Sequence, residues 1–202
     1  MENFKIDTLG KPNPPSPKYG EYGFQEISSF IHSYDFEISE YIKPHLKDII
    51  TQYKNTISNS STQGYANIPV FNDEVNKTLT NKFLEIAKAN YELSPSLDHI
   101  GKRAGYYIQN SNQGSNDFHN HLDSTLTFVT YLALPKEGGE IQFTHPPMGN
   151  ITLKPELNRV YIFPGWMYHR PLPQKDFEWR ISVNWGYICK ERPIHKFTRS
   201  FW

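Results

Sequence analysis

Apolar and polar positions change their rhythm once along this chain. Up to about residue 95 the apolar side chains recur mostly at helical spacing. Ile38, Tyr41, Ile42, Leu46, Ile49 and Ile50 fall on one face of a predicted helix, with Pro44 as an interruption or early-turn residue. The polar stretch SNSSTQG then reads as a loop. A second helix is predicted after Asn72 or Asp73, either of which can cap it, with Val75, Leu79, Phe83 and Ile86 along one face and the SPS sequence as its end. Such stripes ordinarily brace a sheet.

From about residue 96 the texture turns to strands. AGYYIQN, STLTFVTYLAL, GEIQFT, NITLKP, RVYIFP and WRISVNWGY are short and rich in β-branched and aromatic residues, with Gly, Pro, Asn and charged turns between them. Six such segments predict an antiparallel sandwich or barrel. Aromatic residues make up 15% of the chain, which reinforces the β reading. Residues 1–23 contain Pro12, Pro14, Pro15 and Pro17 and read as an extended arm. The expected organisation is that arm followed by a single domain over 24–202. Its parts are helical support over about 24–95, a β region over about 96–190, and a tail over 191–202.

Bulk properties narrow the function classes. Lys plus Arg and Asp plus Glu balance at 21 each, so neither a strongly basic nucleic-acid surface nor an acidic tail is indicated. Cys189 is the only cysteine, which excludes an internal disulfide and suits a reducing cytoplasm. The first residues lack the apolar core of a signal peptide, and no apolar run approaches the roughly 20 residues of a membrane span. A soluble, cytoplasmic protein is expected.

Candidate chemistry lies in the β half. FHNHLDS sets His119, His121 and Asp123 at successive i, i+2 positions, and in an extended chain such side chains project from one face. His121 and Asp123 can therefore converge on one point, and so can His119 and His121. GWMYHRP brings His169, and WRISVNW puts Arg180 and Ser182 on one face of the last long strand, with Asn184 in phase. Two imidazoles and one carboxylate suit a mononuclear ferrous ion, leaving positions open for a cosubstrate and dioxygen. Arg180 offers a planar fork for the distal carboxylate of a dicarboxylate, and Ser182 can add a hydroxyl.

The order of these features from about Tyr106 to Tyr187 resembles the prolyl-4-hydroxylase-like branch of the iron(II)/2-oxoglutarate oxygenase superfamily. The residues that carry the resemblance are Phe118, His121, Asp123, Tyr131-Leu132, Gly138-Gly139-Glu140, Phe163-Pro164, His169 and Arg180. It implies an α+β, mainly β fold: a double-stranded β-helix (jelly-roll) core braced by N-terminal helices. It also implies a 2-oxoglutarate-dependent dioxygenase (hydroxylase) that attacks a C–H bond of a protein side chain or small metabolite and releases succinate and CO2. His121, Asp123 and His169 would then hold Fe(II). Arg180, Ser182, Tyr131 and Tyr107 would bind 2-oxoglutarate, and the partners would be that cosubstrate, dioxygen and a peptide or small-molecule substrate.

Two alternatives stay open. HNH allows a cupin-like site built on His119, His121 and His169 without 2-oxoglutarate, and the domain could bind a ligand without turnover. Trp166 and Tyr168 flank His169 as candidates for the substrate mouth. His32, His45, His99, His145 and His195 read as structural or surface residues. The glycine pair at 138–139 reads as turn geometry, because no helix start follows it to cradle a phosphate.

Overall fold

The computed structural model describes residues 3–5, 25–28, 30–37, 62–64, 73–93, 105–109, 117–145, 149–175, 180–189 and 193–196. All six strand segments expected from the sequence form. They are β6 (Gly105–Gln109), β7 (Leu126–Ala133), β8 (Ile141–His145), β9 (Gly149–Leu153), β10 (Arg159–Pro164) and β12 (Arg180–Tyr187). Shorter strands join them: β1 (Asn3–Lys5), β2 (Gln25–Ser28), β3 (Ile31–Asp35), β4 (Thr62–Gly64), β5 (Tyr91–Glu92), β11 (Tyr168–Pro171) and β13 (Ile194–His195). One helix, α1 (Asp73–Asn90), matches the second predicted helix. The helix expected over 38–50 lies outside the described residues, as does most of the arm over 1–23.

β2 and β3 correct the expectation of helix in that region, because Gln25–Ser28 and Ile31–Asp35 are strands. The reason lies in burial. Ile31, His32, Ser33 and Tyr34 are all buried, since β3 sits inside a sheet between β2 and β10 with both faces covered. A strand covered on both sides loses the alternation that would mark it in the sequence.

Seven strands form an antiparallel sheet in the order β2-β3-β10-β7-β12-β6-β4. Four more, in the order β1-β9-β8-β11, form a second sheet in which only the β1–β9 pairing is parallel. Between β7 and β12 the chain passes from the larger sheet to the smaller and back twice, as in a jelly roll. The described part is mainly β. Among the described residues no helix is long and apolar enough to cross a membrane.

The larger sheet has two different faces. One buries Phe128, Val160, Ile162, Val183 and Trp185 against Leu79, Phe83, Ile86 and Ala87 of α1. Phe83 is its centre, stacked on Phe36 at 4.7 Å and on Trp185 at 5.4 Å between ring centroids. The other face carries Val129, Tyr131, Tyr161 and Phe163, which pack with Ile141 and Phe143 of β8. Successive residues of β10 alternate between the two clusters, as a strand's two-residue period requires.

The β5/β13 ribbon is fastened to β3 by a buried polar network. The Tyr34 hydroxyl lies 2.8 Å from His195 Nε2, the Tyr91 hydroxyl lies 3.0 Å from His32 Nδ1, and the two imidazoles are 4.2 Å apart. Tyr34 and Tyr91 are also hydrogen-bonded to each other, and burial raises both phenols, so they remain neutral donors. Burial, and then the neighbouring imidazole, pushes His32 down to about 2; burial pushes His195 down to about 4. Beyond the ribbon, Lys196 donates its amide to Asn90 O at 2.8 Å and its ammonium to Lys88 O at 2.6 Å, which satisfies carbonyls at the end of α1.

Two outcomes follow from this packing. Phe83→Ala removes the stacked ring between helix and sheet and should cost about 3–5 kcal/mol by urea denaturation. The second concerns pH. An unfolded chain protonates His195 from 6.5 downward, whereas the folded chain resists until about 4, so acid favours the unfolded state across that window. Urea midpoints should therefore fall as pH drops from 6.5 to 4, and less steeply in His195→Gln, where His32 alone of the pair still contributes; equal slopes would rule His195 out as a cause.

Candidate metal centre

Three histidines come together at one end of the space between the sheets. His119 and His169 sit opposite each other in a short antiparallel bridge and exchange both backbone hydrogen bonds, at 3.0 and 2.9 Å. His121 follows two residues after His119 on the same face. One ligand atom from each of the three rings lies within 4.8 Å of the others. The ring centroids are 4.4 Å apart for His119–His169, 5.1 Å for His121–His169 and 5.4 Å for His119–His121.

Backbone carbonyls orient two of the rings. His169 Nδ1 donates to Met167 O at 3.1 Å, and His119 Nδ1 donates to Asp117 O at 3.0 Å. A carbonyl only accepts, so Nδ1 carries the proton and Nε2 of the neutral ring keeps its lone pair, as a metal ligand requires. His169 is buried between Phe143 and Phe163, with centroids at 5.9 and 4.8 Å. Burial is the main cause that holds its pKa well below 6.5; the charges of His119, His121 and Arg180 add to it. It is thus a neutral imidazole at physiological pH.

Asp123 is placed differently. The chain stops being extended after His121: Ser124 N donates to His121 O at 2.8 Å, closing a turn over residues 122–123. The i, i+2 geometry therefore holds from His119 to His121 and breaks between His121 and Asp123. Asp123 is exposed, its Oδ1 accepts from the Ser124 hydroxyl at 3.3 Å, and it is not one of the three clustered residues.

Gly165 explains how the two stretches stay together. His121 N donates to Gly165 O at 2.7 Å, and Gly165 N donates to Thr125 O at 3.0 Å. A Cβ at Gly165 would fall on the backbone carbonyls of Ser124 and His121. The glycine between β10 and β11 is therefore needed for this close approach; the sequence places it after Phe163-Pro164 and shortly before His169 but does not show which backbone it must approach.

Arg180 lies deeper, 2% exposed. Its Nε donates to Gly139 O at 3.0 Å and its Nη2 to the Tyr131 hydroxyl at 3.2 Å, with the guanidinium 5.0 Å from the Tyr131 ring centre. Burial raises the Tyr131 phenol although Arg180 opposes it. Ser182 is buried and pairs across from Tyr131, and Asn184 pairs across from Val129 on the same face. A register shift between Ile181 and Ser182 leaves Leu132 of β7 as the extra residue. The β6 backbone brings Tyr107 opposite Ser182; its side chain lies outside the described residues. So do Asp176 and Glu178, the acidic residues nearest Arg180 in sequence. The Gly138-Gly139 pair, at φ 76° and 71°, turns the chain so that Gly138 bridges Gln174 and Gly139 offers its carbonyl to Arg180.

The rim is aromatic and apolar. Trp166, Tyr168 and Leu122 are exposed, and Trp166 meets Phe30 edge-on at 5.6 Å. Arg170 stacks on Phe118 at 4.4 Å while its Nε and Nη2 donate to Gln142 Oε1, which anchors the stretch that leads into His119.

Comparison with known folds fits this geometry. A prolyl hydroxylase from Trichoplax adhaerens, in complex with a hypoxia inducible factor oxygen degradation domain peptide fragment, superposes with a TM-score of 0.57 at 13% identity, covering 81% of this chain and 85% of that one. The chain shares the fold of that protein. A Pseudomonas putida prolyl-4-hydroxylase gives 0.51 at 12% identity, covering 77% and 85%. No family model matches the sequence, and no curated protein matches it.

Gly165→Ala tests the backbone clamp. Overpacking there should destabilise the protein by about 1–3 kcal/mol and weaken Co(II) binding. Unchanged stability and Co(II) affinity would show that the clamp is not needed.

Proposed function

We propose that this chain is an iron(II)- and 2-oxoglutarate-dependent dioxygenase that hydroxylates a C–H bond of a peptide side chain or small metabolite. The observation that carries the reading is a histidine cluster beside a buried arginine, close enough that the Arg180 charge helps to depress His169. The prolyl-hydroxylase fold supports it.

The donor set fits iron. Imidazole is a ligand suited to ferrous iron, and His121 and His169 supply two nitrogens in either version of the site. The order of motifs assigns the third position to Asp123, while the clustered geometry offers His119. Bound iron would supply the redox chemistry: dioxygen is reduced at the expense of 2-oxoglutarate and the substrate C–H bond, giving the alcohol, succinate and CO2.

The protein's own residues bind and orient. Arg180 is held by Gly139 O and the Tyr131 hydroxyl, so its fork is set before any ligand arrives. In this reading it pairs with the distal carboxylate of 2-oxoglutarate, with Tyr131, Ser182 and Tyr107 as further polar contacts. Phe143 and Phe163 exclude water from the inner side of His169. The aromatic rim of Trp166 and Tyr168 would receive the primary substrate. A single cysteine, Cys189, suits a reducing compartment such as the cytoplasm. The three-histidine cluster also favours a second reading, a cupin-like metal enzyme without 2-oxoglutarate.

Anaerobic titration of the Fe(II)-loaded protein with 2-oxoglutarate separates the two. A weak visible charge-transfer band should develop, and Arg180→Ala should weaken 2-oxoglutarate binding by about 30-fold or more. Bound iron with no such band would reject the 2-oxoglutarate reading in favour of the cupin-like one.

A further inference from the structure

We infer that Thr127 is a further contact for 2-oxoglutarate, its hydroxyl donating to the carboxylate at the end of the cosubstrate that faces the histidines. The inference rests on the proposed function and adds to it a residue that the order of motifs does not single out.

Thr127 lies on β7, 2% exposed, and its Oγ1 is buried with no hydrogen-bond partner among the described residues. The nearby threonines show what the fold does with a hydroxyl that it uses itself. Thr130 donates to Arg159 O at 2.7 Å. Thr125 donates to Cys189 O at 3.3 Å and accepts from Cys189 N at 2.8 Å. A buried hydroxyl without a partner destabilises the fold, and valine, of nearly the same shape, would avoid that cost. The free protein therefore gains nothing from an oxygen at this position.

Strand geometry decides what the hydroxyl faces. Phe128 packs on the helix side of the larger sheet, whereas Val129 and Tyr131 pack on the side of the smaller sheet, and Thr127 is in phase with them. Its cross-strand neighbours are Phe163 of β10 and Gly186 of β12. Neither offers a side-chain acceptor, because one is apolar and the other has no side chain. Phe163 packs on His169 at 4.8 Å between centroids, so Thr127 marks the histidine end of this face. Tyr131 marks the opposite end: it lies four residues on, about 13 Å along the strand, and its hydroxyl accepts from Arg180.

A dicarboxylate with one end on Arg180 thus runs along β7 past Val129 toward Thr127. A threonine hydroxyl can donate to a carboxylate oxygen, and hydrogen bonds to charged groups are the stronger class. The unpaired Oγ1 is then satisfied in the complex and not in the free protein, so its burial favours the bound state.

Thr127→Val and Thr127→Ser in the full-length, Fe(II)-loaded protein under anaerobic conditions provide the test without turnover. The charge-transfer band should need about tenfold more 2-oxoglutarate in Thr127→Val, the loss expected for one bond to a charged group. In Thr127→Ser, which keeps the hydroxyl, it should stay within about threefold of wild type. Without 2-oxoglutarate, the urea midpoint of Thr127→Val should equal or exceed that of wild type, and its Co(II) affinity should be unchanged, because no bond within the fold and no metal ligand is lost. An unshifted titration in Thr127→Val, an equal loss in Thr127→Ser, a lowered urea midpoint or a weakened Co(II) site overturns the inference. A wild-type band that Thr127→Val reproduces leaves the proposed function standing and removes only this role of Thr127. No band in the wild type rejects both.

Discussion

The candidate site depends on two short stretches of backbone, 117–125 and 165–169, held face to face. Neither is a long strand. They meet through the paired hydrogen bonds of His119 and His169 and through the bonds of Gly165 to His121 and Thr125. Because the contact is main chain to main chain, it positions the imidazoles through short, stiff connections, and the side chains need only choose a rotamer. The carbonyls of Asp117 and Met167 then fix those rotamers. The histidine geometry follows from the loop–strand junction, and the large sheet serves as the rigid base from which β10 and β12 project.

The two faces of that sheet use buried histidines in opposite ways. On the helix side His32 and His195 are each answered by a tyrosine hydroxyl, within a network whose phenols are kept neutral by burial. Their role is to tie β5 and β13 to β3, which also brings Lys196 to the end of α1. On the other face three imidazoles are gathered, and two of them, His119 and His169, turn their proton-bearing nitrogens to the backbone. Packing like bases together in this way stabilises nothing in the absence of a cation. That is the physical reason for reading one group as structure and the other as a binding centre.

The sequence revealed the strands that alternate and the helix with a clean apolar face, Leu79 to Ile86, because periodicity reports burial on one side. It failed at β3, where both faces are covered and His32 and Ser33 are buried among apolar neighbours. β11 was too short to register, although Tyr168–Pro171 carries His169. At the site the residue types were legible, and so was Arg180 on the face of Ser182. What could not be read was the point at which an extended chain turns. HNHLD reads as five alternating positions, yet the turn after His121 ends the alternation before Asp123. Asn120, Asp123 and Ser124 are all turn-forming residues but do not by themselves say where the extended stretch ends; the partner that stabilises the turn, Gly165, is more than forty positions away.

Arg180 shows the same dependence on distant partners. Its place on β12 follows from strand alternation, but its orientation does not. The extra residue on β7, Leu132, shifts the register so that Ser182 faces Tyr131, and the Tyr131 hydroxyl accepts from the guanidinium. Bulges of this kind re-aim side chains near sites. The second anchor, Gly139 O, comes from a turn where both glycines take positive φ, and a Cβ at Gly138 would press on the backbone of Pro173 and Gln174 at 2.8 Å. The fork held between these two partners is buried with part of its hydrogen-bonding capacity committed to neutral groups. Two anchors from different parts of the chain thus fix the plane of the guanidinium, and a fork held in that plane can meet a planar carboxylate bidentately without first reorganising.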